Sequence, residues 1–249
     1  MLTQPTLEKL RRMRLFGMAE GFLAQQKKPD YQSLSFEERF GLLVDQEWTA
    51  RQDRRLARLL KEARLRLAAC MEDIDYHKPR GLDRATLLKL AGGQWVRDHQ
   101  NVIITGPTGV GKTFIACALA NAACRQGFSA RYYRVSRLLS DLALAQADGS
   151  YPRLMRKLAR TDLLVLDEWG IAPLAAADCR QMFEVIDDRA EARATIVVSQ
   201  LPIENWHQIF ADPTIADAVL DRLVHKAYKI AMRGESMRKV LADVASKEA

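Results

Sequence analysis

Apolar positions divide this chain into two regions with different periods. Up to about residue 75 they recur at three- and four-residue spacing. Leu7, Leu10, Met13, Met18 and Phe22 form one run, Phe40, Leu43, Val44 and Trp48 a second, and Leu56, Leu59, Leu60, Ala63 and Leu67 a third. That spacing marks amphipathic helices. Lys27-Lys28-Pro29-Asp30 interrupts the first run, and Ser35-Phe36-Glu37-Glu38 reads as a capping box that starts the next helix. Residues 73–81, with Pro79 and Gly81, read as a linker. Residues 83–90 form a short helix closed by Gly92-Gly93. From residue 101 onward, short β-branched runs alternate with helix-forming stretches. Strands are expected at 101–105, 130–135, 162–167, 194–199 and 228–232. Helices are expected at 112–126, 136–146, 151–160, 176–192, 203–210 and 214–225. Such alternation implies a parallel sheet with right-handed crossovers. The expected organisation is a small all-helical N-terminal domain over 1–75 and an α/β domain over 76–249, with 76–100 as linker and short helix.

Composition bounds the function. The 249 residues are 48% hydrophobic and 28% charged, ordinary values for a globular chain. This length accommodates one α/β domain and a smaller partner. A formal net charge of +7 and a pI near 9.3 favour a polyanionic partner, nucleic acid first. No run approaches the roughly 18 apolar residues of a membrane span, so no membrane partner is expected. Met1-Leu2-Thr3-Gln4-Pro5 shows no signal core, and a cytoplasmic protein is expected. Cys70, Cys117, Cys124 and Cys179 make no C-x-x-C pair, which favours buried reduced thiols over a zinc site.

The chemistry concentrates after the first strand. Gly106-Pro107-Thr108-Gly109-Val110-Gly111-Lys112-Thr113 fits G-x-x-x-x-G-K-[ST] at every fixed position. It lies between the apolar run 101–105 and a helix-forming stretch opened by Phe114. In that context, backbone N–H groups and a helix N-terminus face a phosphate. Lys112 would reach the β- and γ-phosphates, and the Thr113 hydroxyl would hold Mg²⁺. The expected nucleotide contacts are therefore Gly106 through Phe114, with ATP and Mg²⁺ bound there.

Leu163-Leu164-Val165-Leu166-Asp167-Glu168 adds a second motif, an apolar strand ending in two carboxylates. Parallel sheets bind ligands at that end. Asp167 is placed to hold Mg²⁺, and Glu168 to polarise an attacking water, which points to hydrolysis. The strand 195–198 leads to Ser199 and Gln200, either of which could contact the γ-phosphate; a simple strand-end cap is the alternative. Further on, Arg222 is a candidate for stabilising transition-state charge on a neighbour's nucleotide. Its alternative is a salt bridge to Asp217 or Asp221. No arginine lies in or next to the two nucleotide motifs along the sequence.

Two basic groups are candidate DNA contacts. Arg51, Arg54, Arg55 and Arg58 share a helical face, followed by Lys61, Arg64 and Arg66. Arg153, Arg156, Lys157 and Arg160 precede the carboxylate strand, with Arg137 nearby. Phosphate backbone suits both groups; a solvated or protein-docking face is the alternative for the first.

Taken together, Leu15-Phe16-Gly17-Met18, Asp75-Tyr76, Gly81-Leu82-Asp83-Arg84, the glycine loop, Leu166-Asp167-Glu168-Trp169-Gly170, Leu220-Asp221-Arg222-Leu223 and Gly234-Glu235-Ser236-Met237-Arg238 resemble the IstB-type transposition helper ATPases of bacterial insertion sequences. These are P-loop AAA+ proteins of the clade that holds DnaC and DnaA. The resemblance covers nearly the whole chain. It implies an ATP-dependent homo-oligomer that binds duplex target DNA and delivers it to a partner transposase. By position it gives Lys112, Thr113, Asp167 and Glu168 the roles above, and Arg222 that of the trans-acting arginine. It places DNA contacts between 137 and 160, and Arg238 as a further nucleotide reader. Gln200 stands where relatives often carry Asn. A DnaC-like helicase loader and a metabolic P-loop kinase are the competing classes.

Overall fold

The structure is a computed structural model that describes residues 3–237. It forms two compact units, Met1–Arg58 and Leu59–Ala249.

The first unit contains α1 (Thr3–Arg12), α2 (Phe16–Lys27), a 3-10 turn at Pro29–Ser33 and most of α3 (Phe36–Ala63). The expected capping box is formed: Glu38 N donates to Ser35 Oγ at 3.2 Å, and Ser35 N to Glu38 Oε2 at 2.7 Å. The apolar run from Leu7 to Phe22 is two helices rather than one stripe. Arg14 turns left-handed at φ 59° between them, and the new direction brings α2 against α3. Two glycines make that approach possible. A Cβ on Gly17 would stand 2.7 Å from the Gln46 carbonyl oxygen, and one on Gly21 2.3 Å from Gln46 Oε1. The freed N-terminus of α2 is capped from α3, where buried Glu47 accepts from Gly17 N at 2.8 Å and Met18 N at 3.2 Å. Burial opposes the ionised form of Glu47. Arg51 and the two amides outweigh it and hold the carboxyl below its ordinary range.

In the second unit come the 3-10 turn Met71–Asp73, α4 (Arg84–Ala91), α5 (Gln94–Arg97), β1 (Val102–Thr105), α6 (Lys112–Arg125), β2 (Ala130–Arg134), α7 (Val135–Ala147) and α8 (Tyr151–Arg160). They are followed by β3 (Leu163–Trp169), α9 (Ala176–Asp187), β4 (Ala194–Ser199), the 3-10 helix Ile203–Ile209, α10 (Pro213–Val224) and β5 (Tyr228–Ala231). The strands run parallel in the order β2-β3-β4-β1-β5. Helix α9 stops at Asp187, short of the expected 192.

The division at residue 58 falls earlier than the expected 75. Leu59, Ala63, Ala69 and Ile74 are buried, and Arg125 of α6 donates to Glu72 at 2.6 Å and to Cys70 Sγ at 3.3 Å. The end of α3 and the segment after it therefore belong with the sheet.

β3 and β4 are buried on both faces, as parallel strands between helices require. A core of Leu138, Leu158, Leu166, Val185 and Val197 fills one face, with Trp169 against Trp206 at 5.6 Å and Phe210 at 6.1 Å. All four cysteines are unpaired, and three are buried. Among the described residues no helix is long and apolar enough to cross a membrane.

Candidate nucleotide-binding site

The glycine loop follows β1 and turns directly into α6. Gly111 precedes the helix at φ 101°, a conformation a side chain would strain. Gly106 sits close against β5, where a Cβ would come within 2.3 Å of the Met232 carbonyl oxygen. The loop is thus an open backbone cradle at the C-terminal edge of the sheet. Lys112 is 8% exposed. Its ammonium donates to the loop's own carbonyls, Gly106 O at 2.6 Å and Pro107 O at 2.7 Å. Burial lowers the Lys112 pKa, and Asp167 partly restores it. A buried cation beside a glycine loop that opens a helix suits a polyanion. Phe114, one turn into α6, is half-buried.

The carboxylates arrive from β3. Its pairing with β4 is regular to Leu166 and resumes at Trp169, so Asp167 and Glu168 occupy an irregularity in the ladder. Bulges of this kind re-aim side chains beside active sites. Glu168 takes φ 63°, strained for a residue with a side chain. Its amide is satisfied by Asp167 Oδ1 at 2.8 Å. Asp167 Oδ2 accepts from Thr113 Oγ1 at 2.8 Å and from Tyr132 OH at 2.6 Å. Burial and the Asp167 carboxylate both push the Tyr132 phenol well up. Thr113 and Asp167 thus present two hard oxygens to one point beside the cradle, a donor set that suits Mg²⁺.

β1 and β4 run in register, with Thr105 opposite Ser199. The two candidates at the end of β4 part company. Gln200 Oε1 accepts from Thr108 Oγ1 at 2.6 Å, so Gln200 reaches the loop. Ser199 does not face it. Its buried hydroxyl donates to Trp169 O at 2.8 Å and accepts from Leu201 N at 3.0 Å, which ties β4 to β3. These bonds match the strand-end alternative for Ser199.

Arg222 stands at the opposite edge. Asn101, just before β1, donates to Arg222 O at 3.0 Å, whereas the cradle begins after β1. Arg222 donates to Asp187 at 2.7 Å and lies 5.2 Å above the Phe183 ring. Its ion partner is therefore Asp187, not Asp217 or Asp221. Asp187 and Arg222 both line a cavity of about 650 Å³ that opens at this edge.

Sequence reasoning missed three contributors. Arg66 donates to Glu168 Oε1 at 3.0 Å and lies 3.8 Å from Asp167 Oδ2. An arginine does stand beside the carboxylates, about a hundred residues away in sequence. Arg80, 6% exposed, donates to Val110 O at 3.2 Å and braces the loop from behind. Tyr132 also entered unannounced, as one residue of an ordinary strand.

Arg153, Arg156, Lys157 and Arg160 line the exposed side of α8, whose other side buries Met155 and Leu158. Lys157 has its pKa lowered, first by burial and then by Arg131, Arg64 and Arg153, so these cations share one electrostatic neighbourhood. Arg137 pairs with Asp141 at 3.2 Å. Of the earlier basic face, Arg51 and Arg54 both donate to Glu47, and Arg54 also stacks on Phe16. Arg55 and Arg58 are exposed. Arg238 lies outside the described residues.

A parallel sheet in the order 2-3-4-1-5, a glycine cradle after β1 and paired carboxylates at the C-terminal end of β3 define a P-loop ATP-binding protein of the AAA+ type. The IstB-like ATP binding protein family matches residues 8–244, and the chain belongs to that family. It is 49% identical over 239 residues to an insertion-sequence ATP-binding protein of Sinorhizobium fredii, covering 96% of this chain and 98% of that one. An ATP-binding protein of insertion sequence IS1162 from Pseudomonas fluorescens is 51% identical over 203 residues, 81% of this chain and 88% of that one. Among solved structures, DnaI aligns with a TM-score of 0.58 at 19% identity, over 71% of this chain and 93% of that one. The replication initiator DnaA bound to AMPPCP and single-stranded DNA aligns at 0.56 and 13%, over 74% and 56%. These two likenesses establish the shared fold.

Proposed function

We propose that this protein is a DNA-dependent ATPase of an insertion sequence, which assembles with copies of itself on duplex target DNA and delivers that DNA to a transposase. The observation that carries the reading is the convergence of Lys112, Thr113, Asp167 and Glu168 on one edge while Arg222 occupies the other. The cradle amides and Lys112 hold the phosphates. Thr113 and Asp167 would hold Mg²⁺, which would supply neutralisation of phosphate charge. Glu168 accepts a proton from the attacking water. Gln200, anchored to the loop through Thr108, senses the γ-phosphate end. Arg222 of a neighbouring copy meets charge that develops on the transferred group, so hydrolysis reports assembly. The insertion-sequence context of the relatives supports target DNA and a transposase as partners. The exposed cations of α8 support contact with phosphate backbone, which carries little base readout.

The test compares ATP hydrolysis, with Mg²⁺ present, on adding duplex DNA, single-stranded DNA or small hydroxyl compounds, and measures particle size with ATP, ADP and DNA in turn. Duplex stimulation together with ATP-dependent growth in size is the expected result. Stimulation by single strands alone would favour a helicase loader, and phosphorylation of a small acceptor a kinase.

A further inference from the structure

We propose that Arg80 is a positioning residue for phosphate, whose buried charge acts from behind the glycine loop through the Gly111 amide. The inference rests on the reading of the loop as a phosphate cradle and adds a cation that lies outside its motif.

The linker before α4 holds Arg80 between the exit of β5 and the loop. Its carbonyl accepts from Arg233 N at 2.9 Å, just after β5. Gly81 takes φ 73°, and a Cβ there would stand 2.7 Å from the Ala231 carbonyl oxygen, so the linker lies close against the strand end. The Arg80 side chain meets the loop from this anchored backbone. Nη2 donates to Asp75 O at 2.5 Å, and Nη1 to Val110 O at 3.2 Å. The last glycine of the loop leaves room for it: a Cβ on Gly111 would come within 3.0 Å of Nη1.

This burial is electrostatically unbalanced. Arg80 is 6% exposed. Among the described residues its side-chain hydrogen bonds go to backbone carbonyls, no carboxylate is among its partners, and Nε has no partner. A buried charge without a counterion is costly. A polyanion in the cradle would supply the missing opposite charge, whereas bracing alone requires no charge. The bond to Val110 gives that charge a route to the phosphate. Val110 C=O and Gly111 N–H belong to one peptide unit. A cation bonded to the oxygen draws electron density from the nitrogen and makes the N–H a stronger donor. Gly111 is also the N-cap of α6, so the strengthened amide adds to the positive end of that helix. Lys112 and Arg80 thus serve the cradle from two sides, one within the motif and one behind it.

The number of phosphates on the ligand separates charge from bracing. Binding of adenosine, ADP and ATP is measured by calorimetry, with Mg²⁺ present, for wild type, Arg80→Gln and Arg80→Lys. Arg80→Gln keeps a donor for a carbonyl and loses the charge. Its ATP affinity should fall by about tenfold, the scale of one hydrogen bond to a charged group. ADP affinity should fall less, and adenosine affinity should not change. Arg80→Lys, which keeps the charge, should recover most of the ATP affinity. ATP should also raise the melting temperature of Arg80→Gln less than that of wild type. In hydrolysis the KM for ATP should rise more than kcat falls, because the amide serves ground state and transition state alike. Arg80→Met is the second neutral variant, used if Arg80→Gln does not fold. An equal loss for all three ligands would make Arg80 a brace only, and an unchanged ATP affinity would remove it from the site; either overturns the proposal. Lys112→Ala is measured alongside. If wild type binds ATP no better than adenosine or Lys112→Ala does, the cradle reading itself fails. If wild type binds ATP more tightly than both and the neutral Arg80 variant matches wild type, only the role of Arg80 fails.

Discussion

The two edges of the parallel sheet are built to opposite rules. At the C-terminal edge, side chains converge: Thr113, Tyr132 and Glu168 N all bond one Asp167 carboxylate, and Lys112 folds back onto its own loop. At the N-terminal edge, Arg222 turns outward beside a cavity, with Asp187 as an exchangeable partner. The first edge is complete enough to bind a nucleotide. Among the described residues, the arginine beside its carboxylates is Arg66, and it is bonded to Glu168. β1 alone spans about 13 Å at ~3.3 Å per residue, so Arg222 is out of reach of its own cradle. On the proposed reading, one chain carries two halves of a site that would meet between copies.

The sharpest way to break that comparison is to remove the outward half. Arg222→Ala should lower turnover by about 10³-fold with nucleotide affinity intact. Mixing settles whether the halves are shared. Lys112→Ala chains keep Arg222, and Arg222→Ala chains keep Lys112; each alone is inactive, and the mixture should recover activity. Normal hydrolysis by Arg222→Ala in the presence of DNA would reduce the arginine to a structural partner of Asp187.

The convergent edge is tested by Glu168→Gln. The amide keeps the shape of the side chain but cannot accept the proton, so turnover should fall by about 10²-fold. ATP should still bind, and residence on DNA should lengthen. Equal rates for variant and wild type would leave the bulge at Glu168 without a catalytic purpose.

What the sequence revealed and concealed follows the same division. Motifs with fixed spacing were legible because one backbone path carries them: the loop at 106–113 and the carboxylates at the end of an apolar strand. The five strands fell within two residues of expectation, since burial on both faces leaves an unbroken apolar run. Contacts made across the fold were not legible. Arg66 read as one more cation in a basic segment, because nothing local says that the chain after α3 returns to β3. Ser199 and Gln200 are adjacent and equally polar, and only the pleat decides which faces the loop. The break at Arg14 was hidden because the apolar spacing continues across it; the signal was Gly17 and Gly21, two small residues one turn apart where helices come close. Helix α3 also disguised the boundary, since one uninterrupted helix serves both units.

The smallest expected effect lies on α8, which belongs to neither edge. Its cations are exposed, and its apolar side holds Met155 and Leu158 in the core, so Arg153, Arg156 and Lys157 can be neutralised without emptying a packed position. Each phosphate contact releases condensed counterions and contributes about 0.9 to the slope of log affinity against log salt. Replacing all three by Gln should therefore flatten the slope for duplex binding by about 2.7 if each holds one phosphate. Lys157 makes the cluster informative. Burial and then Arg131, Arg64 and Arg153 disfavour its charge, and a bound polyanion would relieve that repulsion. Arg137, paired with Asp141, should add less when replaced. The slope is measured by titrating labelled duplex at several salt concentrations, with Arg222→Ala as a control whose slope should not move. If the triple variant keeps the wild-type slope, α8 is cleared and Arg55 and Arg58 become the next residues to neutralise.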